Sequence, residues 1–280
     1  MKKKILLVIN PESGKKNYNF YNKLIKLNLL FCEFITFESK YKYHIYDFVK
    51  ENIEFINGTD LVFIIGGDGM FHLTVNALFI NDIDIPCMIF PAGTGNGIYK
   101  SILHSYGEEY TLKEYINLLK TNKVDKYMDV INITNNKDDL HLRCILGISW
   151  GIISDIDMNT EWMRIIGSLR LEIGAVYYLL RKYSYSGELS YKDRKGEIVV
   201  HKGNFIHFWA NNTSHGSEIT HSSPGAKFDD GYIHISFMMM PVSRYELFQM
   251  LWNIDSGKFI KLPKVQYIRT SEFSLKTDNG

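Results

Sequence analysis

The sequence predicts an α/β domain with a parallel sheet and glycine-rich loops over residues 1–127, followed by a mainly antiparallel β-sandwich over residues 128–280. Three observations predict this fold class. In the first half, apolar runs alternate with amphipathic segments, and glycine-rich segments follow three of those runs. From about Met128, short alternating or apolar runs are separated by Gly, Asn, Asp and Lys. With 45% hydrophobic residues, the chain can build two cores.

The elements of the first half follow from their periodicity. The predicted strands are Ile5–Ile9, Phe31–Phe37, Leu61–Ile65 and Pro86–Phe90. The predicted helices, which carry apolar residues at helical spacing, are Tyr18–Leu29, Tyr43–Ile56 and Met70–Phe79. Because the strands lack strict alternation, they are typical of a parallel sheet that is covered on both faces.

The second half predicts strands with turn residues between them. The runs are MDVINIT, LHLRCILGIS, GELSY, GEIVVHKG, NFIHFWANN, GYIHISFMM and QYIRTSEFSLKT. Their alternation and their short spacing indicate antiparallel pairing. Two helical segments, Glu161–Arg181 and Arg244–Asp255, interrupt this pattern.

Composition excludes several classes of protein. The net charge of +1 gives no support for a polyanionic partner such as nucleic acid. Cys32, Cys87 and Cys144 lie too far apart for a zinc motif or a disulfide framework, and they are expected to be core residues in a reducing compartment. The basic and apolar start lacks a cleavage site, and no run approaches the roughly 20 apolar residues that span a bilayer. We therefore expect a soluble, cytoplasmic protein.

Glycine-rich segments follow three predicted strands, at Asn10–Gly14, Gly66–Gly69 and Pro91–Gly97. Ligands of open parallel sheets bind at the carboxyl ends of the strands, so we expect these loops to lie together. Backbone N–H groups and helix N-termini in such loops can hold a polyphosphate. The loops match neither the P-loop nor the Rossmann fingerprint.

Asp68 is the one carboxylate of the Gly-Gly-Asp-Gly segment. One interpretation makes it a turn residue and a cap for the following helix, with glycines at positive φ. The other makes it a proton acceptor or a nucleotide contact. The residues of this segment leave both interpretations open.

Several motifs resemble the diacylglycerol kinase catalytic fold, which includes sphingosine kinases. In the first half they are N-P-x-S-G-K from Asn10, G-G-D-G from Gly66 and P-A-G-T-G-N from Pro91. In the second half, W-G-x-x-x-D-x-D from Trp150 to Asp157, with Arg164, Gly167 and Arg170 behind it, is similar to a sphingosine kinase stretch. Three further segments keep the family order: Ser214–Glu218, Val242–Arg244 and Ser256–Lys258.

The resemblance implies an ATP-dependent lipid kinase, with Asp68 as the general base that accepts a proton from the primary hydroxyl of the lipid. The implied ATP-binding residues are Asn10, Pro11, Glu12, Ser39, Gly66, Gly67, Gly69, Gly93, Thr94, Gly95, Arg164 and Arg170. Arginines suit phosphate because the guanidinium donates two hydrogen bonds and stays charged. Mg²⁺ is implied together with ATP, and its ligands are not assigned.

The resemblance also implies a sphingoid long-chain base as the substrate. Asp157 matches the carboxylate that pairs with the amine of such a lipid, and Asp155 would share its side if the segment were a strand. Ile152 and Ile153 could line the slot for the acyl chain, with core packing as the alternative. Apolar residues between Trp162 and Ile166 could touch a membrane or belong to the core, so we expect a cytoplasmic protein with transient contact to a membrane surface.

The chain departs from the family pattern at several positions, which include Lys16, Gly97 and Gly147. Leu73 stands five residues after Asp68, where the family has Glu. Leu73 makes a catalytically impaired homologue that binds nucleotide or lipid one alternative, and a diacylglycerol kinase or related lipid kinase is the other. The family also continues beyond Gly280 into a further strand, so the chain is expected to be truncated or to work without it.

Overall fold

The computed structural model describes residues 3–14, 18–28, 32–109, 111–120, 127–135, 140–167 and 169–277. Contacts divide the chain into two compact units, and each unit contains two stretches of the chain. The first unit contains 1–103 and 132–145, and the second contains 104–131 and 146–280. The domain boundary at 127/128 stays a prediction, because residues 121–126 lie outside the described ranges.

The first unit contains a four-stranded parallel sheet of order β2-β1-β3-β4, as predicted. Its strands are β1 Lys3–Ile9, β2 Cys32–Glu38, β3 Leu61–Gly66 and β4 Cys87–Pro91. The helices are α1 Tyr18–Asn28, α2 His44–Glu51, α3 Ile53–Asn57, α4 Asp68–Ile80 and α5 Gly97–Tyr106, whose last turn falls in the second unit. The central strands are buried, which agrees with their continuous apolar sequence.

The helices of the structure differ from the predicted helices in two places. The predicted helix Tyr43–Ile56 is two helices, because the side chain of Asn52 donates to the Phe48 carbonyl (2.8 Å) and its backbone leaves the helical conformation. A helix that the sequence analysis did not predict, α6 Leu112–Lys120, follows α5. The predicted ends at Leu29 and Phe31 lie outside the described residues.

The second unit contains an antiparallel sheet of order β11-β10-β9-β8-β12, with β7 also paired to β9, which confirms the predicted class. Its strands are β7 Gly147–Gly151, β8 Tyr185–Lys192, β9 Ile198–Asn211, β10 Ile233–Met239, β11 Gln266–Thr270 and β12 Phe273–Thr277. A separate ribbon pairs β5 Ile131–Asn135 with β6 Leu140–Cys144, and all but the first residue of these two strands belong to the first unit. The two runs that were predicted around Gly203 form one strand, because Gly203 pairs with Gly187 and the ladder continues through it.

The helices of the second unit cover part of its sheet. Besides α6, the helical elements of this unit include α7 Ile152–Asn159, a 3₁₀ turn at Glu161–Ile166, α8 Leu169–Arg181, α9 Arg244–Trp252 and a 3₁₀ turn at Lys258–Lys261. The predicted helix Glu161–Arg181 is interrupted at Gly167, whose φ of 63° is left-handed. Ser243 and Glu246 form a capping box at the start of α9. No helix within the described ranges is long and apolar enough to cross a membrane.

Candidate functional site

The three glycine-rich loops of the first unit are joined by backbone hydrogen bonds. The N–H of Asn10, just after β1, donates to the carbonyl of Ile65 in β3 (3.1 Å). The N–H of Ala92, just after β4, donates to the carbonyl of Gly66 (3.0 Å). The carboxyl ends of β1, β3 and β4 therefore meet at one edge of the sheet, where ligands of such sheets bind.

The glycines of these loops allow the backbones to touch. A Cβ on Gly93 would lie 2.4 Å from the Cα of Gly67, and a Cβ on Gly14 would lie 2.3 Å from the carbonyl oxygen of Ala92. Gly69 differs from them, since a Cβ there would meet no atom within 4 Å. Packing therefore requires glycine at residues 14 and 93, whereas residue 69 borders open space.

Asp68 begins α4 and binds the first turn of α5. Its Oδ2 accepts from the N–H of Gly97 (3.0 Å), and its Oδ1 accepts from the N–H of Ile98 (2.9 Å). Burial raises the pKa of the Asp68 carboxyl, and the backbone hydrogen bonds oppose that rise. The interpretation of Asp68 as a cap of the following helix is wrong, because its side chain makes no cap hydrogen bond to α4, and Gly66, Gly67 and Gly69 do not have a positive φ. The carboxylate instead binds the first N–H groups of α5.

Backbone hydrogen bonds fix the orientation of the Asp68 carboxylate. The two N–H groups of α5 hold one oxygen each. A carboxylate that is oriented and has a raised pKa can accept a proton from a hydroxyl group. The same contacts mean that Asp68, rather than a ligand, takes the N–H groups of Gly97 and Ile98.

Asn96 closes the third loop, a function that the sequence analysis missed. Its Oδ1 accepts from the N–H of Gly93 (3.0 Å), and its Nδ2 donates to the Gly93 carbonyl (3.1 Å). Its φ of 54° is left-handed, a conformation that Asn adopts more readily than most residues. The Gly-Asn pair at the end of this loop is the feature of the sequence that could have indicated such a turn. Thr94 and Gly95 lie in the turn that Asn96 closes.

The first loop is held by its own Asn. The side-chain oxygen of Asn10 accepts from the N–H of Glu12 (3.1 Å), and its carbonyl accepts from the N–H of Ser13 (3.1 Å). Pro11 lies within this turn. Ser39 follows β2, and its N–H donates to the Ile9 carbonyl (2.8 Å), which brings Ser39 to the same sheet edge.

In the second unit, Arg170 and Asp157 are bound to each other. Arg170 donates to the Asp157 carboxylate (2.7 Å), to the Asp157 carbonyl (2.8 Å) and to the hydroxyl of Thr160 (2.9 Å). The Asp157 side chain is 68% exposed and that of Arg170 is 15% exposed. Arg170 therefore joins the start of α8 to the end of α7.

Asp155 lies in a different environment from Asp157. The segment is a helix and not a strand, so residues two apart point in different directions and the two carboxylates do not share a side. The hydroxyl of Tyr185 donates to the Asp155 carboxylate (2.8 Å). Burial raises the pKa of Asp155, and the hydrogen bond from Tyr185 opposes that rise.

The remaining predicted residues of this unit lie around α7. Ile152 is buried in the core beneath α7, α8 and α9, and Ile153 packs against that core. Arg164 belongs to the 3₁₀ turn, and its side chain lies outside what the structure describes. Trp162 in the same turn is 82% exposed.

An exposed apolar surface on α8 was missed by the sequence analysis. Five large side chains recur along one side of the helix and are exposed: Leu169, Ile173, Val176, Tyr177 and Leu180. We call them the α8 apolar stripe. Their helical spacing was visible in the sequence, but that spacing does not tell a buried face from an exposed one.

Comparisons with known proteins agree with this arrangement. Residues 4–133 match the model for the diacylglycerol kinase catalytic domain. Residues 150–280 match the model for the YegS C-terminal NAD kinase beta sandwich-like domain. The first match ends at residue 133 and the second begins at residue 150.

Sphingosine kinases are among the relatives. The chain is 26% identical to sphingosine kinase 2 of Arabidopsis thaliana, over 98% of this chain and 65% of the relative. It is 24% identical to human sphingosine kinase 1, over 99% of this chain and 83% of the relative. The chain thus spans less than two thirds of the Arabidopsis protein.

Solved structures show the same fold. A crystal structure of a diacylglycerol kinase from Bacillus anthracis str. Sterne has a TM-score of 0.62 at 16% identity, covering 99% of this chain and 86% of that one. Another crystal structure from the same organism has a TM-score of 0.69 at 16% identity, covering 99% and 87%. These likenesses show that the chain has the same fold as those proteins. The two domain matches make residues 4–133 similar to a diacylglycerol kinase catalytic domain and residues 150–280 similar to the YegS C-terminal domain.

Proposed function

We propose that this protein is an ATP-dependent lipid kinase that phosphorylates the primary hydroxyl of a sphingoid long-chain base, with Asp68 as the general base. The observation that supports this best is the position of Asp68. Its carboxylate lies where three glycine-rich loops meet, is held by two backbone N–H groups and has a raised pKa. Relatives named sphingosine kinase support the choice of substrate.

The reaction needs one proton acceptor and a precise alignment of the reactants. The hydroxyl oxygen of the lipid attacks the γ-phosphorus of ATP, and the bond from that phosphorus to the β-bridging oxygen breaks to release ADP. The hydroxyl proton goes to Asp68. Since little other covalent chemistry is required, orientation by the loops supplies most of the remaining catalysis.

The loops of the first unit fit the phosphates of ATP. Gly67 and Gly93 touch through their backbones, and Gly69 leaves open space beside the start of α4, where a phosphate can approach the backbone. Mg²⁺ would neutralise phosphate charge. Within the described ranges, no group of three His, Cys, Asp or Glu side chains could hold a metal ion. Mg²⁺ at nucleotide sites usually binds substrate phosphates and keeps several waters.

The amine of a sphingoid base needs an anionic partner. Asp157 and Asp155 are both candidates, and their environments differ: Asp157 is paired with Arg170, whereas Asp155 is partly buried beside Tyr185. A cationic amine would favour the ionised form of Asp155 against the effect of burial. Arg164 and Arg170 are proposed to contact ATP phosphates, and Ile152 and Ile153 the acyl chain.

Replacing Asp157 by Ala tests the amine contact. If Asp157 binds the amine, KM for the amino lipid rises at least 10-fold and KM for ATP stays unchanged. If its only partner is Arg170, KM for ATP rises instead, because the replacement loosens a proposed phosphate ligand. Asp155→Ala in parallel shows which carboxylate carries the contact. A diacylglycerol kinase would be nearly insensitive to both replacements, since its substrate has no amine.

We also propose that the protein works at the cytoplasmic surface of a membrane, with the α8 apolar stripe as the contact. The stripe is exposed, lacks charged residues and lies on the helix that Arg170 joins to α7. Apolar helix faces of this kind insert into the interface of lipid bilayers. Trp162, exposed in the adjacent 3₁₀ turn, suits the same interface.

Val176→Asp is expected to weaken binding to anionic lipid vesicles at least 10-fold in a sedimentation assay. The reason is that the Val176 side chain is 60% exposed, so the charge disfavours insertion without disturbing the core. Val200→Asp is the matched control, because Val200 on β9 is 54% exposed and lies outside the stripe. Equal binding by both variants would refute the assignment of the stripe.

Leu73 supports a second candidate function, a homologue with impaired catalysis that binds nucleotide or lipid. The decisive assay incubates the protein with labelled ATP, Mg²⁺ and a panel of sphingosine, phytosphingosine, diacylglycerol, ceramide and NAD. Phosphorylation of sphingoid bases above the level of Asp68→Asn supports the proposal, and phosphorylation of diacylglycerol alone identifies the alternative kinase. Nucleotide binding without any phosphorylation identifies the impaired homologue.

A further inference from the structure

A cavity of the second unit lies beside the start of α9. Its volume is about 500 Å³, which is within the range of sites that hold small ligands. Part of its lining is apolar and consists of Met238, Leu262 and Pro263. Tyr245, Glu246 and Lys264 add an aromatic ring and two opposite charges. None of the residues proposed to bind ATP or the reacting lipid lines this cavity, so it is a separate candidate site.

Glu246 places an oriented negative charge in the cavity. Its Oε2 accepts hydrogen bonds from the N–H (2.7 Å) and the hydroxyl (2.8 Å) of Ser243. These hydrogen bonds lower the pKa of the Glu246 carboxyl, so the group is ionised at physiological pH. Among the described residues, Oε1 of Glu246 has no hydrogen-bond partner. This oxygen can therefore bind a cationic group of a ligand.

Lys264 places a positive charge in the same cavity. It is near enough to contribute to the lowered pKa of Glu246, but within the described ranges it forms no ion pair with Glu246 or with another carboxylate. Lys182, the other lysine near Glu246, donates to the Val242 carbonyl (2.7 Å) and does not line the cavity. Two opposite charges that face one cavity without pairing are complementary to a ligand that carries both signs of charge.

Exposed aromatic side chains continue along α9 from this cavity. Tyr245, Phe248 and Trp252 recur at helical spacing and are exposed. Tyrosine and tryptophan are enriched at the head-group level of bilayers, and aromatic rings attract quaternary ammonium groups. The start of α9 also adjoins the α8 apolar stripe, because the side chain of Arg244 donates to the carbonyl of Leu180 (3.2 Å). The surroundings of the cavity therefore suit a membrane surface.

We propose that this cavity binds the zwitterionic head group of a bilayer phospholipid, of the phosphocholine type. The ammonium group of the head group lies against Glu246 and the ring of Tyr245, and its phosphate lies against Lys264. The apolar lining receives the methyl groups of the ammonium. The site holds the protein on a membrane and takes no part in phosphoryl transfer, so it goes beyond the proposed kinase activity. Only the choice of a bilayer as the source of the head group rests on the membrane contact proposed above.

Titration of the full chain with glycerophosphocholine, followed by NMR in the absence of ATP, tests the site. We expect the wild type to bind this zwitterion at least 10-fold more tightly than choline or inorganic phosphate, each of which carries one sign of charge. Glu246→Gln should weaken binding at least 10-fold with an unchanged Tm, because glutamine also completes a capping box. Lys264→Gln should weaken binding similarly. Lys261→Gln is the matched control, since Lys261 is exposed but does not line the cavity.

Vesicles identify the source of the head group. The wild type should sediment with phosphatidylcholine vesicles at least 10-fold more strongly than Glu246→Gln does. Binding to phosphatidylglycerol vesicles should not depend on Glu246, because that head group has no ammonium. If glycerophosphocholine binds and phosphatidylcholine vesicles do not, the ligand is a soluble zwitterion and the bilayer assignment is overturned.

Two further results would overturn the inference. In the first, glycerophosphocholine binds the wild type no more tightly than choline and phosphate do. In the second, either Glu246→Gln or Lys264→Gln binds it as tightly as the wild type. A failure of the proposed kinase function is distinguishable from both, because the titration needs neither ATP nor a lipid that is phosphorylated.

Discussion

Replacing Asp68 by Asn should lower kcat for lipid phosphorylation by about 10²- to 10⁴-fold, the range that a general base contributes. The amide cannot accept the hydroxyl proton. In the wild type, the N–H groups of Gly97 and Ile98 donate to the two carboxylate oxygens of Asp68. In the variant, the NH₂ group of the amide faces one of these N–H groups, so that hydrogen bond is lost. Initial rates at saturating ATP and lipid measure the loss, and the dissociation constant of ATP should change far less.

The pH profile of the wild type gives an independent check on Asp68. Burial raises the pKa of this carboxyl, and a general base works only in its deprotonated form. The kcat/KM should therefore fall as the pH drops through that raised pKa, above the ordinary aspartate value of about 3.9. The residual activity of Asp68→Asn should not show this fall in kcat/KM at low pH. If ATP affinity falls as much as kcat does, the role of Asp68 is to anchor α5 and not to accept a proton.

Gly93→Ala and Gly69→Ala should have opposite effects on stability. The added methyl at residue 93 meets the Cα of Gly67 at 2.4 Å, so two backbones must separate, which costs about 1–3 kcal/mol. The added methyl at residue 69 meets nothing within 4 Å and favours the helix by up to about 1 kcal/mol. Thermal or denaturant unfolding measures both changes.

The same pair of variants tests where the phosphates bind. If the ATP phosphates approach the backbone at Gly69, the methyl group of Gly69→Ala blocks them, and the dissociation constant of ATP should rise at least 10-fold in a stable protein. Unchanged ATP affinity in Gly69→Ala would place the phosphates elsewhere. Gly93→Ala serves as the control in which lower affinity accompanies lower stability.

The parallel sheet and the meeting of its loops could be predicted because both depend on local signals. Continuous apolar runs identify buried parallel strands, and glycine-rich segments after strands fall at one sheet edge by topology alone. The antiparallel sheet of the second half could be predicted in the same way, because its short runs alternate between apolar and polar residues.

Contacts between distant residues could not be predicted in this way. Asp68 binds an N–H group 30 residues away, and Asn211 lies against Gly147 only because β7 pairs with the end of β9. Asp155 and Asp157 would share one side only if their segment were a strand, but a helix begins directly after Gly151. Whether the α8 apolar stripe faces a core or the outside depends on tertiary packing, which periodicity does not encode.

The way α7 and α8 leave the sheet has a consequence for engineering. Gly151, the last residue of β7, pairs with His207, and Tyr185, the first residue of β8, pairs with Phe205. The helical segment between β7 and β8 is therefore anchored at both ends to β9, at positions two residues apart. Residues 152–184 could therefore be exchanged for the equivalent segment of a relative, because the pairing of β7 and β8 with β9 holds both ends of the segment. Since the proposed lipid contacts lie in this segment, the exchange could also transfer the lipid preference of the relative.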